Sequence, residues 1–155
     1  MLSEKIVSNS INAALMKGAE FVEIFAEDKL TGNIRTVGGR VEDSLSGRDY
    51  GVGIRIINGL KSVYAYTNDS TEDNLIRLAE EAAQSLKEVR HREIKFIKQD
   101  TPCYNPVAKR LFDTPRSTKL ELLIRAYESA KNYSKLITQV TTSYLEEEQD
   151  ILIAN

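Results

Sequence analysis

Two turn signals between alternating segments constrain the fold of this sequence most strongly. Asn58-Gly59 separates two segments in which side chains alternate in character, and a type I′ turn needs positive φ at both central positions. Gly38-Gly39 is a second two-residue hairpin signal. The sequence around these turns therefore predicts antiparallel strands that follow one another along the chain.

The segments around these turns predict an antiparallel meander of about five strands. Gly47-Arg48-Asp49 is expected to be a further turn. Apolar side chains alternate onto both faces of the first segment, so we expect that strand to be covered on both sides. The predicted strands are residues 19–27, 30–37, 40–46, 50–57 and 60–67.

Apolar residues at helical spacing predict three helices. The first begins at Ser3 as its N-cap and ends before Gly18. The second follows the polar loop at 68–71 and extends to about Val89. A capping box at Thr118 is expected to begin the third helix, because its hydroxyl can accept a free first-turn N–H.

The C-terminal segment predicts a pair of strands around an acidic turn. The strand candidates are 137–144 and 151–154, and three successive glutamates lie in the turn at 146–150. Adjacent carboxylates point in different directions, whereas a divalent cation needs converging oxygens, so a solvated turn is favoured over a metal site. The last strand has no finishing turn, and we expect the native chain to continue beyond it.

These elements define an α+β fold, with a multi-stranded antiparallel sheet packed by helices and a C-terminal helix and strand pair. We expect an α+β domain over residues 1–100, which includes a short strand at 93–98. A connector over 101–117 contains all three prolines. Residues 118–155 then form the start of a following region that is cut short.

Composition excludes several classes of protein. Lys and Arg total 21 against 23 for Asp and Glu, so the net charge of −2 argues against a dedicated nucleic-acid binder. No apolar run approaches the roughly 18–20 residues of a membrane helix. The N-terminus lacks the pattern of a signal peptide, so a cytoplasmic protein without membrane contact is expected.

Catalytic and metal-binding side chains are scarce. The sequence has a single histidine, His91, and a single cysteine, Cys103, so a His/Cys zinc site needs carboxylates to complete it. His91 is expected near a helix end, where favourable interaction with the helix dipole is the simpler interpretation. Cys103 is read as an ordinary small side chain. We therefore assign no catalytic residue and no metal ligand.

One group of residues is a candidate contact surface. Tyr64 and Tyr66 share one face of a predicted strand, and Arg55 lies across from them on its hairpin partner. The three side chains are candidates for a peptide-binding or subunit-contact face. A face packed beneath a second layer is the favoured alternative.

Several motifs in their order resemble the N-terminal domain of the TldD/PmbA family, the modulator of DNA gyrase proteins. The similarity spans about residues 18–83. It rests on the strand FVEIFAE, the segment GVGIR and the segment AYTND, which is closer to the TldD branch. A capped helix with Leu75, Ala79 and Ala83 follows them.

The resemblance implies a zinc metallopeptidase, a hydrolase acting in proteolysis of peptides or unfolded proteins. Its implied partner is a TldE/PmbA-like subunit or a second copy, and its catalytic HExxxH motif lies C-terminal to the matching region. This sequence contains no such motif. Zinc is therefore expected only in the full-length enzyme, and this chain is expected to be inactive alone.

We accordingly expect a non-catalytic N-terminal part of a TldD-like enzyme that contributes to a subunit interface and a substrate chamber. An exposed edge strand is expected to add backbone hydrogen bonds to an extended peptide, with 50–57 and the C-terminal strand as candidates. Two alternatives remain open: a PmbA/TldE-like non-catalytic partner subunit, and a stand-alone protein-interaction module.

Overall fold

The computed structural model describes residues 1–86, 108–110 and 113–155. These residues form an α+β fold with three helices and a four-stranded sheet, which confirms the predicted class. The strand order in the sheet is β3-β2-β1-β4. In chain order the elements are α1 (Glu4–Met16), β1 (Phe21–Val37), β2 (Arg40–Asn58), β3 (Lys61–Thr67), α2 (Glu72–Ser85), α3 (Arg116–Tyr133) and β4 (Thr141–Ala154).

Some sequence predictions lie outside the described residues. His91, Cys103, the strand at 93–98 and most of the connector at 101–117 belong to this group. The described part of that connector is residues 108–110 and 113–117.

The predicted hairpin turn at Gly38-Gly39 is confirmed, whereas the second turn lies one residue later than predicted, with Gly59 and Leu60 as its central residues. Gly38 and Gly39 have φ of +59° and +77°, and Gly59 has φ of +58°. Asn58 pairs with Lys61 across the second turn, in an antiparallel register. Glycine adopts this left-handed conformation without the steric cost that a Cβ introduces, which explains its use at these positions.

The prediction of about five strands in the meander is wrong, because the first four predicted strands merge into two long ones. β1 contains the segments 19–27 and 30–37 almost entirely, and β2 contains 40–46 and 50–57 together with the predicted turn at 47–49. Both strands lie inside the sheet, with a neighbour on each side. β3 pairs only with residues 52–58 of β2, so β2 continues through 47–49 beyond the end of that pairing.

The predicted acidic turn at 146–150 is also wrong, because these residues lie inside β4. Successive side chains of a strand point to opposite faces, so neighbouring glutamates reach different cations. Glu146 lies 2.6 Å from the Lys119 amine, Glu147 lies 2.8 Å from that of Lys29, and Glu148 pairs with Arg110. These ion pairs compensate the run of negative charge, and the strand continues through it.

The helix boundaries follow local signals, with one exception. Ser3 caps α1 as predicted, its hydroxyl accepting the Ile6 N–H at 3.4 Å. α2 ends at Ser85, before the predicted end. The predicted capping box at Thr118 is not formed, because α3 already begins at Arg116 with Pro115 as its N-cap. A proline fits there because its fixed φ suits the start of a helix.

The chain divides into two compact units, and β1, β2 and β4 each contribute residues to both. The described part of the first, called unit 1, is residues 1–28, 49–86 and 150–155. Its core lies between α1, α2 and one face of the strands. The fully or almost fully buried strand residues of this core are Val22, Ile24, Ala26, Val52, Ile54 and Ile56.

The described part of the second, called unit 2, is residues 29–48, 108–110 and 113–149. The hydroxyls of Thr36 and Thr142 lie 2.8 Å apart, and Thr142 also donates to the Leu123 carbonyl at 3.4 Å. Leu123 is 5% exposed and Lys119 is 3% exposed. These contacts pack α3 against β1 and β4.

Candidate functional site

The structure brings Arg55, Tyr64 and Tyr66 together on one face of the β2–β3 hairpin. Arg55 pairs with Tyr64, and Gly53 pairs with Tyr66. Paired residues of an antiparallel ladder share a face, and alternate residues of β2, such as Ile54, point into the core. The three candidate side chains therefore lie on the face opposite the core.

This face is exposed, in contrast to the favoured alternative of a face packed beneath a second layer. Tyr64 is 63% exposed and Tyr66 is 74% exposed, and Arg55 is also exposed. The strand predicted to be covered on both sides has a half-exposed outer side, since Phe21 is 36% exposed. Large aromatic side chains at such exposure are typical of a contact surface.

Two glycines of β2 explain how the tyrosines lie on the sheet. A Cβ on Gly53 would come within 2.7 Å of Tyr64 Cζ, so the ring occupies the space that any other side chain at 53 would need. A Cβ on Gly51 would lie 4.0 Å from Tyr66 Cδ2. Glycine in a strand commonly marks such a close approach. The Tyr64 ring thus lies across β2, and the glycine at 53 is needed for it to do so.

Apolar residues of two further strands extend the same face. Leu152 and Ala154 pack against the core of unit 1, so the residues that alternate with them point outward. Ile151 is 48% exposed and Ile153 is 63% exposed. We define the outer face as the set Phe21, Glu23, Arg55, Tyr64, Tyr66, Ile151 and Ile153.

Arg55 and Glu23 are the charged members of this set, and alternation along β1 and β2 places the carboxylates of Glu27 and Asp49 on the same side. Arg55 lies on β2 and Glu23 on β1, and a bond of 3.0 Å from the Glu20 N–H to the Ile57 carbonyl aligns the two strands here. Within the described residues neither Arg55 nor Glu23 has an ion-pair partner. Tyrosine and arginine are enriched at the centres of protein interfaces, and this combination indicates molecular contact rather than acid–base chemistry.

One strand predicted to offer free backbone groups does not do so. Residues 50–57 lie in β2, which is hydrogen-bonded between β1 and β3. Residues 50–57 can therefore contact another molecule through their side chains, and not through free backbone groups. β4 lies at one end of the strand order.

A cavity of about 460 Å³ lies in unit 2, between the exposed side chains of Leu45 and Leu145. The buried Oδ1 of Asn33, one of its lining residues, has no hydrogen-bond partner. Glu146 and Glu147 also line the cavity, and each is paired with a lysine. Both carboxylates are thus used within the protein, and the Asn33 oxygen alone does not define a ligand, so we assign the cavity none.

The described residues contain no cluster of three or more His, Cys, Asp or Glu that could hold a metal ion. In the same ranges no helix is long and apolar enough to span a bilayer.

The sequence around the outer face matches a known family. Residues 22–86 match the family described as PmbA/TldA metallopeptidase domain 1. This match confirms the predicted resemblance and includes the candidate residues Arg55, Tyr64 and Tyr66. The sequence matches none of the curated proteins.

Three crystal structures of similar fold carry related descriptions. A modulator of DNA gyrase from Bacteroides thetaiotaomicron has a TM-score of 0.75 at 13% identity, over 99% of this chain and 37% of that chain. A modulator of DNA gyrase from Thermotoga maritima has a TM-score of 0.72 at 18% identity, over 97% of this chain and 34% of that chain. TldE from Thermococcus kodakarensis has a TM-score of 0.63 at 14% identity, over 96% of this chain and 35% of that chain. The chain thus spans little more than a third of their length.

Proposed function

We propose, on the premise that residues 22–86 form the first domain of a TldD/PmbA-type protein, that this chain is the non-catalytic N-terminal part of a TldD-like zinc metallopeptidase. The family match over that segment carries the proposal. The substrates are peptides or unfolded proteins. The similar structures are almost three times as long, which leaves room for a separate catalytic region in such proteins.

Within residues 1–86, 108–110 and 113–155, the side chains do not fit a zinc site. A tetrahedral site with three protein ligands draws on His, Cys and carboxylates, and the sequence has one His and one Cys. The described residues offer no acidic cluster that could supply the rest. We therefore derive no catalytic step from this chain and assign it a binding role.

The outer face is the surface through which this chain contributes to the subunit interface and to the wall of the substrate chamber. Its support is the exposure of Tyr64 and Tyr66 beside Arg55. Aromatic rings offer large apolar contact area at low entropic cost, and they accept many side chains without requiring one sequence. The balanced charge of the chain agrees with a cytoplasmic protein that binds neither nucleic acid nor membrane directly.

A second candidate is a PmbA/TldE-like subunit that lacks a metal site at any length. The fold similarity to TldE from Thermococcus kodakarensis favours it. The two candidates differ in the protein that follows this segment. An HExxxH motif there selects the peptidase, and its absence selects the partner subunit.

Binding of an unfolded polypeptide tests the proposed role. Fluorescein-labelled, reduced and carboxymethylated lactalbumin is titrated with the chain and followed by fluorescence anisotropy. We expect saturable binding that weakens in Tyr66→Ser and persists in Tyr133→Ser, since Tyr133 is 88% exposed on α3 and is not a member of the outer face. We also expect no fragments by mass spectrometry, with or without added zinc.

Two results contradict the proposal. Unchanged anisotropy with the wild-type chain removes the substrate-contact role. Zinc-dependent cleavage by this chain alone shows that it is not a non-catalytic part.

A further inference from the structure

We propose that Asn58 is a site of spontaneous deamidation that the folded chain holds unreactive, and that Glu20 is the residue that protects it. The site lies where β2 ends, at the corner between β2 and the connection from α1 to β1. The Asn58 amide is converted to a carboxylate when this corner opens. The reaction is separate from the proposed binding role and limits the lifetime of the intact fold.

The Asn58-Gly59 pair has the chemistry that this reaction needs. The backbone nitrogen of Gly59 loses its proton and attacks the side-chain carbonyl carbon of Asn58, and the amide group leaves as ammonia. Water then opens the cyclic succinimide at one of its two carbonyls, which gives aspartate or isoaspartate. Glycine favours the attack, because it has no Cβ beside the nitrogen. The sequence contains this dipeptide once.

Two contacts hold Asn58 itself in place. Its backbone pairs with Lys61 in the β2–β3 ladder and is therefore extended. Its side-chain amide donates to the Gly18 carbonyl at 2.8 Å, and the residue is 2% exposed. The side chain thus cannot turn toward the Gly59 nitrogen without breaking a buried hydrogen bond, and leaving the Gly18 carbonyl unpaired has an energetic cost.

Glu20 acts on the attacking nitrogen. The Gly59 N–H donates to the Glu20 carboxylate at 2.9 Å, so the attack must break this bond as well. The negative charge beside the N–H also opposes loss of its proton, because the nitrogen would become an anion next to a carboxylate. The Glu20 N–H donates to the Ile57 carbonyl at 3.0 Å, which holds Glu20 beside the turn.

Conversion of Asn58 prevents the corner from closing as before. A carboxylate has no N–H for the Gly18 carbonyl and would face its oxygen in a site that is 2% exposed. Isoaspartate also adds a carbon to the backbone at the position that pairs with Lys61. We therefore expect Asn58→Asp, which has the structure of one product, to melt at a lower temperature than wild type.

A comparison of the folded and the unfolded chain tests the site. The chain is incubated at pH 7 in buffer and in concentrated urea, and the tryptic peptide of residues 56–61 is followed by mass spectrometry. We expect conversion of Asn58 in urea. Because only the open fraction reacts, conversion in the folded chain should be slower by at least about tenfold.

Substitution of Glu20 tests its protective role. In the folded chain Glu20→Ala should accelerate conversion by about three- to tenfold, the effect of one lost hydrogen bond, whereas in urea its rate should equal that of wild type. Glu20→Gln keeps an acceptor oxygen without the charge, so its rate should lie between the two. Circular dichroism melting checks that each variant is folded.

Gly32→Ala is the control for general destabilisation. A Cβ there would come within 2.7 Å of Glu146 Oε1 in unit 2, and the corner at Asn58 belongs to unit 1. We expect this variant to convert at about the rate of wild type when both are folded.

Equal rates in the folded and the unfolded chain overturn the inference, because the fold then gives no protection. An Asn58 that stays unchanged in urea also overturns it. A folded-state rate that Glu20→Ala leaves unaltered removes Glu20 as the protecting residue, as does an equal acceleration in Gly32→Ala. The lactalbumin titration does not depend on any of these results.

Discussion

Gly32 of β1 lies directly beneath the Glu146 side chain of β4. A Cβ at position 32 would come within 2.7 Å of Glu146 Oε1 and 2.9 Å of its Cγ. The same carboxylate lies 2.6 Å from the Lys119 amine on α3. The absence of a side chain at 32 thus allows β4 to reach the helix across β1.

Gly32→Ala is therefore expected to destabilise the protein by about 1–3 kcal/mol, because the new methyl group forces Glu146 out of its position. The free energy of unfolding from urea titration measures the loss. Gly51→Ala is the control, since a Cβ there meets nothing nearer than 3.7 Å. Equal losses in the two variants would contradict the proposed contact.

Removal of one partner of the Lys119–Glu146 pair should be more costly than removal of both. Lys119 is 3% exposed and Glu146 17% exposed, so Glu146→Gln removes the carboxylate charge that lies 2.6 Å from a buried ammonium. We expect a loss of about 3–5 kcal/mol for the single variant.

The double variant Lys119→Met with Glu146→Gln should recover more than half of that loss, because no unpaired charge remains. A double-mutant cycle from chemical unfolding measures the coupling. Losses that simply add would show that the two side chains act independently.

Two adjacent glycines of the first hairpin turn should respond differently to alanine. Both have positive φ, so each substitution introduces backbone strain of order 1 kcal/mol. A Cβ on Gly39 would also lie 2.8 Å from Tyr127 Cε1, whereas a Cβ on Gly38 meets nothing within 4 Å. The melting temperature of Gly39→Ala should therefore be lower than that of Gly38→Ala. The reverse order would contradict this packing of Tyr127.

Acid should weaken the contact between α1 and α2 through Glu72. The Asn9 amide donates to this carboxylate at 2.6 Å and Lys5 lies 3.5 Å away, so the pKa of Glu72 is lowered from its ordinary value of 4.5. Because the pKa of Glu72 is lower in the folded state, its ionised carboxylate stabilises the protein above pH 4.5. This stabilisation is lost as the pH falls through the folded-state pKa.

We expect Glu72→Gln to reduce the drop in melting temperature between pH 7 and pH 3 relative to wild type. The pKa of Asp69 is also lowered, chiefly because its carboxylate accepts the Thr71 N–H at 3.0 Å, so part of the drop should remain. Circular dichroism at both pH values provides the measurement, with Glu121→Gln as the charge-matched control. If Glu72→Gln shows the same drop in melting temperature as wild type, Glu72 is not a source of the acid sensitivity.

Local signals predicted the turn at Gly38-Gly39 and the existence of the three helices, whereas long-range contacts decided how far the strands extend. The Asn-Gly pair predicted a turn with positive φ at Gly59, but that turn lies one residue later because Asn58 is paired in β2. The continuation of β4 through three glutamates depends on Lys29, Lys119 and Arg110, which lie up to 118 positions away. No local pattern contains that information, so an acidic turn was the natural prediction.

The candidate surface was also predicted only in part from the sequence. The predicted turn at Asn58-Gly59 would pair Arg55 with Ser62, whereas the observed turn at Gly59-Leu60 pairs Arg55 with Tyr64. Both registers leave the two tyrosines on the face of Arg55, so the shared face could be predicted although the pairing could not. Ile151 and Ile153 could not be assigned to the outer face, because their orientation depends on the path of β4. The clue was present in the alternation with Leu152 and Ala154, once it is known that those two contact the core.

The three successive glutamates of β4 keep a carboxylate opposite Lys119 and Lys29 when the strand slips by one residue, although Gln149 then replaces Glu148 opposite Arg110. If the strand slipped by one residue, Glu147 would replace Glu146 opposite Lys119, and Glu148 would replace Glu147 opposite Lys29. The alternating apolar residues have no such redundancy, since the same slip turns Leu152 and Ala154 out of the core and Ile151 and Ile153 into it. The hydrophobic pattern, and not the ion pairing, therefore selects the register in which β4 joins the sheet. The ion pairs add stability to that register.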